Sequence, residues 1–396
     1  MKNFIAFAVA LLSVLGATAQ PFLTTKGGVY QKVSSYTKLK DNDIVIAASH
    51  SMAGGTDKVY VMTTALASTT DAGKFGYYIY GVYKSDMPKT ITLSDVNNGK
   101  NPYEYAVKFN SEHPSNGYYV SLQNKEGKYI NYDTNSSTSI CLSEDIMYWK
   151  VGGNQEYMIY DGKDKTLRCS NSVGYFTNNA GVAFKPAYLY RKIYQLSIGA
   201  EGYATLYYGS NDVVLPAGVK AYTYELNGDK LSPAVTYDGD NGDILPHATA
   251  VIVKGTPNMV YTLDVKNTQK TSGSSVLRGS DDAVSTELDG DAAGSKYYMF
   301  GKGNDGLGFY YAKADGSAFV NSEHRAYLCL NSTLAAKGFT LVLPDGTNIP
   351  TGVGPVNGAR EASADGKSAA WYDLSGRQVE RNAKGLYIHK GKVIAY

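Results

Sequence analysis

Three aspartates within six residues form the densest group of candidate metal ligands in this sequence. Asp238, Asp240 and Asp243 belong to the segment Asp-Gly-Asp-Asn-Gly-Asp, and carboxylate oxygens are the ligands that Ca²⁺ prefers. The segment departs from the EF-hand pattern, because glycine occupies its fifth position and aspartate its sixth, where that pattern requires glycine. We therefore interpret it as a polar loop between strands, with the three aspartates as the candidate ligands if a metal binds here.

None of the familiar catalytic patterns is present in the sequence. The five histidines are widely separated and lack the HExxH, HxH and CxxC spacings of metal sites. His50 has serines on both sides, but adjacency in sequence carries no triad geometry, so a solvated loop histidine is expected. The segment 301–306 matches GxGxxG, yet a strand is predicted after it instead of the helix that a dinucleotide site needs, which predicts a hairpin turn. The sequence therefore predicts no catalytic residue, no cofactor and no metal.

Tyrosine offers a third kind of chemistry, since the chain contains 35 tyrosines and five adjacent tyrosine pairs. Neighbours in a strand point to opposite faces, so each pair directs one ring outward. An exposed ring presents an apolar face to the C–H groups of a sugar and a hydroxyl to its oxygens. The alternative is that these tyrosines are simply good strand formers. The candidate ligand-binding residues are Tyr77, Tyr118, Tyr222, Tyr224 and Tyr311.

The composition indicates the elements that must carry these residues. The 396 residues are 43% hydrophobic and 19% charged, with a formal net charge of +2, which disfavours a nucleic-acid partner. Aromatic and β-branched segments interrupted by Gly, Asn and Asp predict an all-β fold of two or three domains. The same composition excludes a coiled coil, a polytopic membrane protein and a mostly disordered chain.

The predicted organisation has five parts. Residues 1–19 have the pattern of a secretory signal peptide, and no second long apolar segment follows, so an exported protein without a transmembrane helix is expected. Residues 20–192 contain two similar hairpins at an offset of 38, which favours a β-trefoil-like or β-barrel domain among several possible β folds. Residues 193–344 predict a β-sandwich, 345–368 a linker, and 369–396 a tail of two or three tiny strands that is too short to bury its own core.

The three cysteines leave two possibilities open. Cys141 and Cys169 can pair if their strands are neighbours, or these two and Cys329 can be buried thiols.

Several segments also carry a resemblance to a known group of proteins. Residues 36–46 with 167–190, and residues 202–255 with 308–339, resemble two β-rich domains found in surface proteins of anaerobic Gram-negative gut and oral bacteria. The tail resembles the end of a type IX secretion sorting domain, about one third of the full length. The residues that carry this second resemblance are Gly376, Arg377, Gly385 and Tyr387. The resemblance implies lineage, export and contact with an export machinery, and implies little about biochemistry.

Together these observations predict an exported, non-catalytic cell-surface protein that binds a glycan or a protein partner. One alternative is a structural adhesin or matrix component without a small ligand. Another is a hydrolase whose site the sequence does not reveal.

Overall fold

The computed structural model describes residues 28–349 with short gaps, and four short segments between residues 371 and 395. The gaps are 35–38, 67–74, 94–103, 110–117, 133–139, 152–158, 161–165, 173, 180, 182–183, 228–229, 269, 304–305, 332–337 and 343–347. The predicted signal peptide and most of the predicted linker lie outside the described residues. The chain divides into a first unit, residues 1–352, and a second unit, residues 353–396.

The predicted all-β class is confirmed, since strands make up 56% of the structure. The helical structure within the described residues is a single 3₁₀ turn, Gly239–Asn241. The strands of the first unit, in two groups along the chain, are as follows. They are β1 (Gly28–Lys32), β2 (Ile44–Ser51), β3 (Lys58–Leu66), β4 (Phe75–Val82), β5 (Thr90–Leu93), β6 (Tyr105–Phe109), β7 (Tyr118–Gln123), β8 (Tyr129–Tyr132), β9 (Ile140–Ser143), β10 (Trp149–Val151), β11 (Ile159–Tyr160), β12 (Arg168–Ser170), β13 (Phe176–Thr177), β14 (Phe184–Pro186) and β15 (Tyr188–Ser197). They continue with β16 (Tyr203–Leu206), β17 (Asp212–Val214), β18 (Lys220–Asn227), β19 (Lys230–Asp238), β20 (Ile244–Leu245), β21 (Val251–Lys254), β22 (Val260–Lys266), β23 (Leu277–Ser280), β24 (Lys296–Gly303), β25 (Gly306–Tyr311), β26 (Arg325–Leu330), β27 (Gly338–Val342) and β28 (Asn348–Ile349).

The first sheet has 18 strands, namely β1–β15 with β17, β20 and β22. Strand β2 is buried on both of its faces, which explains its almost continuous apolar sequence. Because side chains alternate along a strand, Val45 and Ala47 pack into one core with Trp149, whereas Ile46 and Ala48 pack into another with Tyr30.

The second sheet has 10 strands in the order β16-β21-β18-β19-β27-β25-β24-β26-β23, and β28 pairs with β27. This sheet curls until its first strand lies beside its last strand but one. Ala326 N donates to Thr205 Oγ1 over 3.2 Å, and Tyr207 N donates to the His324 carbonyl over 3.1 Å. The line along which β16 and β26 meet is called the seam below.

The two sheets pack face to face around a shared core, in a sandwich-like arrangement. Leu196 and Leu263 of the first sheet lie in the same buried cluster as Leu206, Ala221 and Val253 of the second. The opposite face of the second sheet covers a further core, which is rich in tyrosine and phenylalanine. The sandwich expected for 193–344 thus includes strands from both sheets, and the trefoil-like symmetry of the first block stays a prediction.

Strand β15 crosses the domain boundary predicted at residue 192. Residues 188–191 of this strand pair with β2, and residues 193–197 pair with β22. On the other edge, residues 190–193 pair with β1. The two predicted blocks therefore share one sheet, and their division into independent domains stays a prediction.

Two buried ion pairs involve β15 and β22, and the second of them joins the two blocks. Lys192 Nζ lies 2.6 Å from Glu104 Oε1, with side chains only 2% and 1% exposed, and the Tyr30 hydroxyl donates to the same oxygen over 2.6 Å. Burial alone lowers the pKa of Lys192, but the Glu104 carboxylate more than compensates, so this pKa is raised. The second pair joins Lys266 to Asp43, where burial raises the carboxyl pKa although Lys266 opposes it.

All three cysteines are thiols, so the alternative with a disulfide between Cys141 and Cys169 is wrong. Cys169 and Cys329 are buried, and burial raises the pKa of both thiols.

The second unit contains one antiparallel sheet in the order β30-β29-β31-β32. Its strands are β29 (Trp371–Tyr372), β30 (Gln378–Val379), β31 (Leu386–His389) and β32 (Lys392–Ala395). The sequence predicts two or three strands here, and the structure has four.

The ion pair of Lys192 provides a first prediction. We expect Lys192→Met to lower the free energy of unfolding by about 3–5 kcal/mol, because it leaves the Glu104 carboxylate buried without a cation. Lys302→Met is the matched control, since Lys302 pairs with Glu201 at the surface, where such a pair contributes less than about 1 kcal/mol. Urea unfolding of both variants measures the difference, and equal losses would contradict the prediction.

The buried tyrosines provide a second prediction. Burial, aided by the Glu104 and Asp281 carboxylates and opposed by Lys192, raises the pKa of Tyr208 to about 12. Its hydroxyl stays protonated in the folded state while an unfolded tyrosine ionises near pH 10, so its contribution is complete below about pH 10 and is lost as the pH rises towards 12. Within this range, each such tyrosine lowers the free energy of unfolding by about 1.4 kcal/mol per pH unit.

Tyr208→Phe tests this reasoning, because phenylalanine keeps the ring that stacks on His324 and lacks the ionisable hydroxyl. Between about pH 10 and pH 12, the free energy of unfolding should fall less steeply with pH for the variant than for the parent chain. The difference in slope corresponds to about one bound proton. Identical slopes for the variant and the parent chain would refute the assignment.

Candidate functional site

The structure corrects the expectation for two of the predicted ligand-binding tyrosines. Tyr222 and Tyr224 share one face of β18, as their spacing predicts, but that face points into the aromatic core of the second sheet. Tyr222 is 4% exposed and Tyr224 is 0% exposed, and burial raises the pKa of both hydroxyls. These rings stabilise the core and are closed to a ligand.

The other tyrosine candidates do not come together either. Tyr77 of β4 is half-buried and packs edge-on against Tyr60, with ring centres 4.7 Å apart. Tyr311 of β25 packs against Tyr298 in the other core, with ring centres 4.8 Å apart. Tyr118 lies in β7, and its side chain is outside the described residues.

The acidic loop is held by hydrogen bonds within the protein. Asp238 Oδ1 accepts from Asp240 N over 3.0 Å, and Asp238 Oδ2 pairs with Lys220 Nζ at 2.7 Å. Asp240 Oδ1 accepts from Gly218 N over 2.8 Å, and Asp243 Oδ2 accepts from Asp238 N over 2.7 Å. Each carboxylate thus closes the 3₁₀ turn or its neighbouring hairpin. In the described part of the chain, no group of three His, Cys, Asp or Glu side chains is arranged to hold a metal ion.

His50 lies in a strand, so the expectation of a loop histidine is wrong. Its ring stacks on Tyr83 with centres 4.0 Å apart, and Nδ1 lies 3.1 Å from Asp57 Oδ1. His247 Nδ1 lies 2.9 Å from the buried carboxylate of Asp212.

His324 has the same type of partner in Asp281, at 3.3 Å. Burial alone raises the pKa of Asp281, but hydrogen bonds from His324, Gly209 and Ser210 outweigh it and lower this pKa. The described histidines that pair with carboxylates therefore lie at three separate places in the first unit.

Of the residues that carry the sorting-domain resemblance, Gly376, Arg377 and Gly385 lie outside the described residues. Tyr387 lies in β31, opposite Ile394 of β32. Strands β24 and β25 pair antiparallel with Gly303 opposite Gly306, as in the hairpin that the sequence predicts.

The site that the structure does present is a groove of about 420 Å³ at the seam of the second sheet. One wall is formed by the end of β15 and by β16, including Tyr203 and Thr205. The other wall is formed by β24, by the segment before β26 and by the start of β26. This second wall includes the side chains of Met299, Phe300, Phe319, Val320 and Arg325.

The apolar part of the groove consists of two exposed side chains, Met299 and Val320, and two rings that pack against the cores, Phe300 and Phe319. Met299 follows the inward-facing Tyr298 in β24 and therefore belongs to the opposite face of the strand, where it is 51% exposed. Val320 is 69% exposed, more than any other large apolar side chain of the described residues. Phe300 packs against Phe309 at 5.4 Å, and Phe319 packs against Tyr327 at 6.4 Å, so both rings have a fixed position.

Hydrogen bonds across and beside the seam hold the second wall in place. Arg325 Nη1 donates to the Thr205 carbonyl over 3.0 Å, and Asn321 Nδ2 donates to the Arg325 carbonyl over 2.7 Å. His324, immediately before β26, has a left-handed backbone (φ 53°) and stacks on Tyr208 with ring centres 4.4 Å apart. The start of β26 is therefore fixed on both sides, and Arg325 lines the groove from that position.

The sequence reasoning missed this groove. Its residues come from two segments separated by about a hundred positions, and no motif marks either of them. The one local signal is the period of two in β24, which places Met299 on the face opposite to Tyr298. That signal indicates an outward methionine without indicating a wall on the other side.

Comparisons with protein-family models, with curated proteins and with solved structures found no match for this chain. Among the described residues, none forms a helix able to span a membrane.

The acidic loop provides a third prediction. We expect Gly239→Ala to cost about 1–3 kcal/mol of stability, because a Cβ at Gly239 would lie 2.0 Å from the Pro216 carbonyl oxygen. Gly301→Ala is the control, since a Cβ there meets no atom within 4 Å. Thermal unfolding of the two variants is the measurement, and an unchanged melting temperature for Gly239→Ala would show that the loop is not packed in this way.

Proposed function

We propose that this chain is an exported, non-catalytic surface protein that binds a protein partner through the groove at the seam. The observation that carries the proposal is the collection of exposed apolar side chains, Met299 and Val320 with the two flanking phenylalanines, in one concave site. A concave surface that combines apolar side chains with well-placed polar groups is typical of binding sites. The export pattern of residues 1–19 and the resemblance of the tail to sorting domains support the location.

The exposed apolar side chains of the lining, Met299 and Val320, favour a peptide segment over a glycan. Aliphatic side chains and methionine adapt to the apolar side chains of a partner, and they offer few hydrogen bonds to the hydroxyls of a sugar. The glycan prediction depends on outward tyrosines, and Tyr222 and Tyr224 are buried whereas Tyr77 and Tyr311 pack in two different cores. The protein-partner form of the prediction is therefore the one that we retain.

A selection of random heptapeptides displayed on phage, with the full chain immobilised, tests the proposal. We expect enriched peptides rich in apolar residues, and we expect Val320→Asp to weaken their binding about tenfold or more, because it places a charge where an apolar side chain would be buried. Val82→Asp is the matched control, since Val82 is 63% exposed on β4 and does not line the groove.

Two results would contradict the proposal. One is the absence of any peptide that distinguishes the parent chain from Val320→Asp. The other is saturable binding on a glycan array that Val320→Asp abolishes and Val82→Asp leaves intact. That result would show that the groove binds a carbohydrate. Melting temperatures of both variants, measured in parallel, verify that each remains folded.

A further inference from the structure

Arg325 is the only charged residue among those that line the groove. Its side chain donates to the Thr205 carbonyl, and within the described ranges no carboxylate lies at ion-pair distance from its guanidinium. Two of the other three half-buried arginines among the described residues pair with a carboxylate: Arg191 lies 3.0 Å from an Asp264 oxygen, and Arg278 lies 2.6 Å from an Asp291 oxygen. The third, Arg168, donates to the Phe184 carbonyl. The groove thus presents a positive charge that the protein itself does not neutralise.

The surroundings of the Arg325 guanidinium strengthen its attraction for an anion. Arg325 is partly buried, and the apolar side chains beside it reduce the screening by water. Partly buried cations are ordinarily paired, because removing a charge from water is costly without a partner. A guanidinium has five N–H donors in a planar fork, and this fork matches a carboxylate in a bidentate arrangement.

The guanidinium is also held in position before any ligand arrives. The bond from Nη1 to the Thr205 carbonyl joins it to the opposite wall, and the bond from Asn321 fixes the backbone beneath it. An arginine with few remaining rotamers loses less conformational entropy when it binds, which favours affinity.

We propose that the segment bound in the groove carries an aspartate or glutamate next to its apolar residues, and that Arg325 binds this carboxylate. The inference rests on the proposed function and names the chemistry of the partner: an acidic, apolar stretch within a protein chain. Apolar side chains on both walls can contact residues before and after the acidic one, so we propose an internal segment as the source of the carboxylate and not a chain terminus.

The same heptapeptide library tests the inference, with peptides fused at their C-termini so that none has a free terminal carboxylate. We expect peptides enriched on the parent chain to contain Asp or Glu beside apolar residues, and Arg325→Gln to select apolar peptides without that acidic residue. Lys302→Gln is the matched control, since it removes one positive charge from β24 outside the lining of the groove.

Synthetic pairs made from the enriched sequences, with the acidic residue or its amide, give the quantitative result. The change from Glu to Gln in the peptide should weaken binding to the parent chain about tenfold or more and should scarcely affect binding to Arg325→Gln. Arg325→Lys should restore part of the preference for the acid, because lysine keeps the charge without the planar fork. The swap within the peptide needs no variant protein, so the test stands even if Arg325→Gln is poorly folded.

The possible failures are distinguishable. Enriched peptides that depend on Val320 but tolerate the change from acid to amide would overturn the role of Arg325 and leave the proposed function intact. Synthetic apolar peptides whose binding requires a free C-terminal carboxylate, and is abolished when that terminus is amidated, would overturn the internal source. A library without any peptide that depends on Val320 would overturn both proposals.

Discussion

The architecture of the first unit depends on one strand, β15, which pairs with β1 and β2 in the first half of the chain and with β22 in the second. Its Lys192 forms a buried ion pair with Glu104, and that carboxylate also accepts a hydrogen bond from Tyr30. A buried charge pair of this kind is weak evidence for stability, but removing either partner leaves an uncompensated charge. A second buried pair, between Lys266 of β22 and Asp43, joins the two blocks, as does the pairing of β15 with β22.

The groove follows from the way in which the second sheet curls. Its first strand approaches β26 without forming a regular ladder, and side-chain bonds of Thr205 and Arg325 take the place of the missing backbone pairing. The groove lies along this line, and Met299 of β24 and Val320 are left exposed there. The candidate site is thus a consequence of incomplete pairing at the seam.

The abundance of tyrosine has a structural explanation in the same sheet. Tyr222, Tyr224 and Tyr298 fill the core that the curled sheet encloses, together with Phe309 and Phe339. Aromatic rings suit a strand and bury a large area each, so a sheet with short strands gains a core from few residues. These tyrosines are therefore explained by core packing, and their buried hydroxyls are closed to a ligand.

The sequence by itself determined the class of fold and much of its local structure. The alternation of apolar and polar residues over Val219–Leu226 predicts a strand with Tyr222 and Tyr224 on one face, and β18 has this arrangement. The predicted hairpin is likewise present, with Gly303 opposite Gly306. These features depend on local preferences and on the alternation of side chains, which are readable from neighbouring residues.

Only the tertiary structure decided which faces are buried and where a site lies. Alternation shows that two tyrosines share a face, but another sheet or the curl of their own sheet determines whether that face meets water. Arg325 and Thr205 are 120 positions apart, and their contact depends on the path of the strands between them. The sequence did not predict that β15 pairs with strands of both blocks, because long-range pairing leaves no pattern in a single segment.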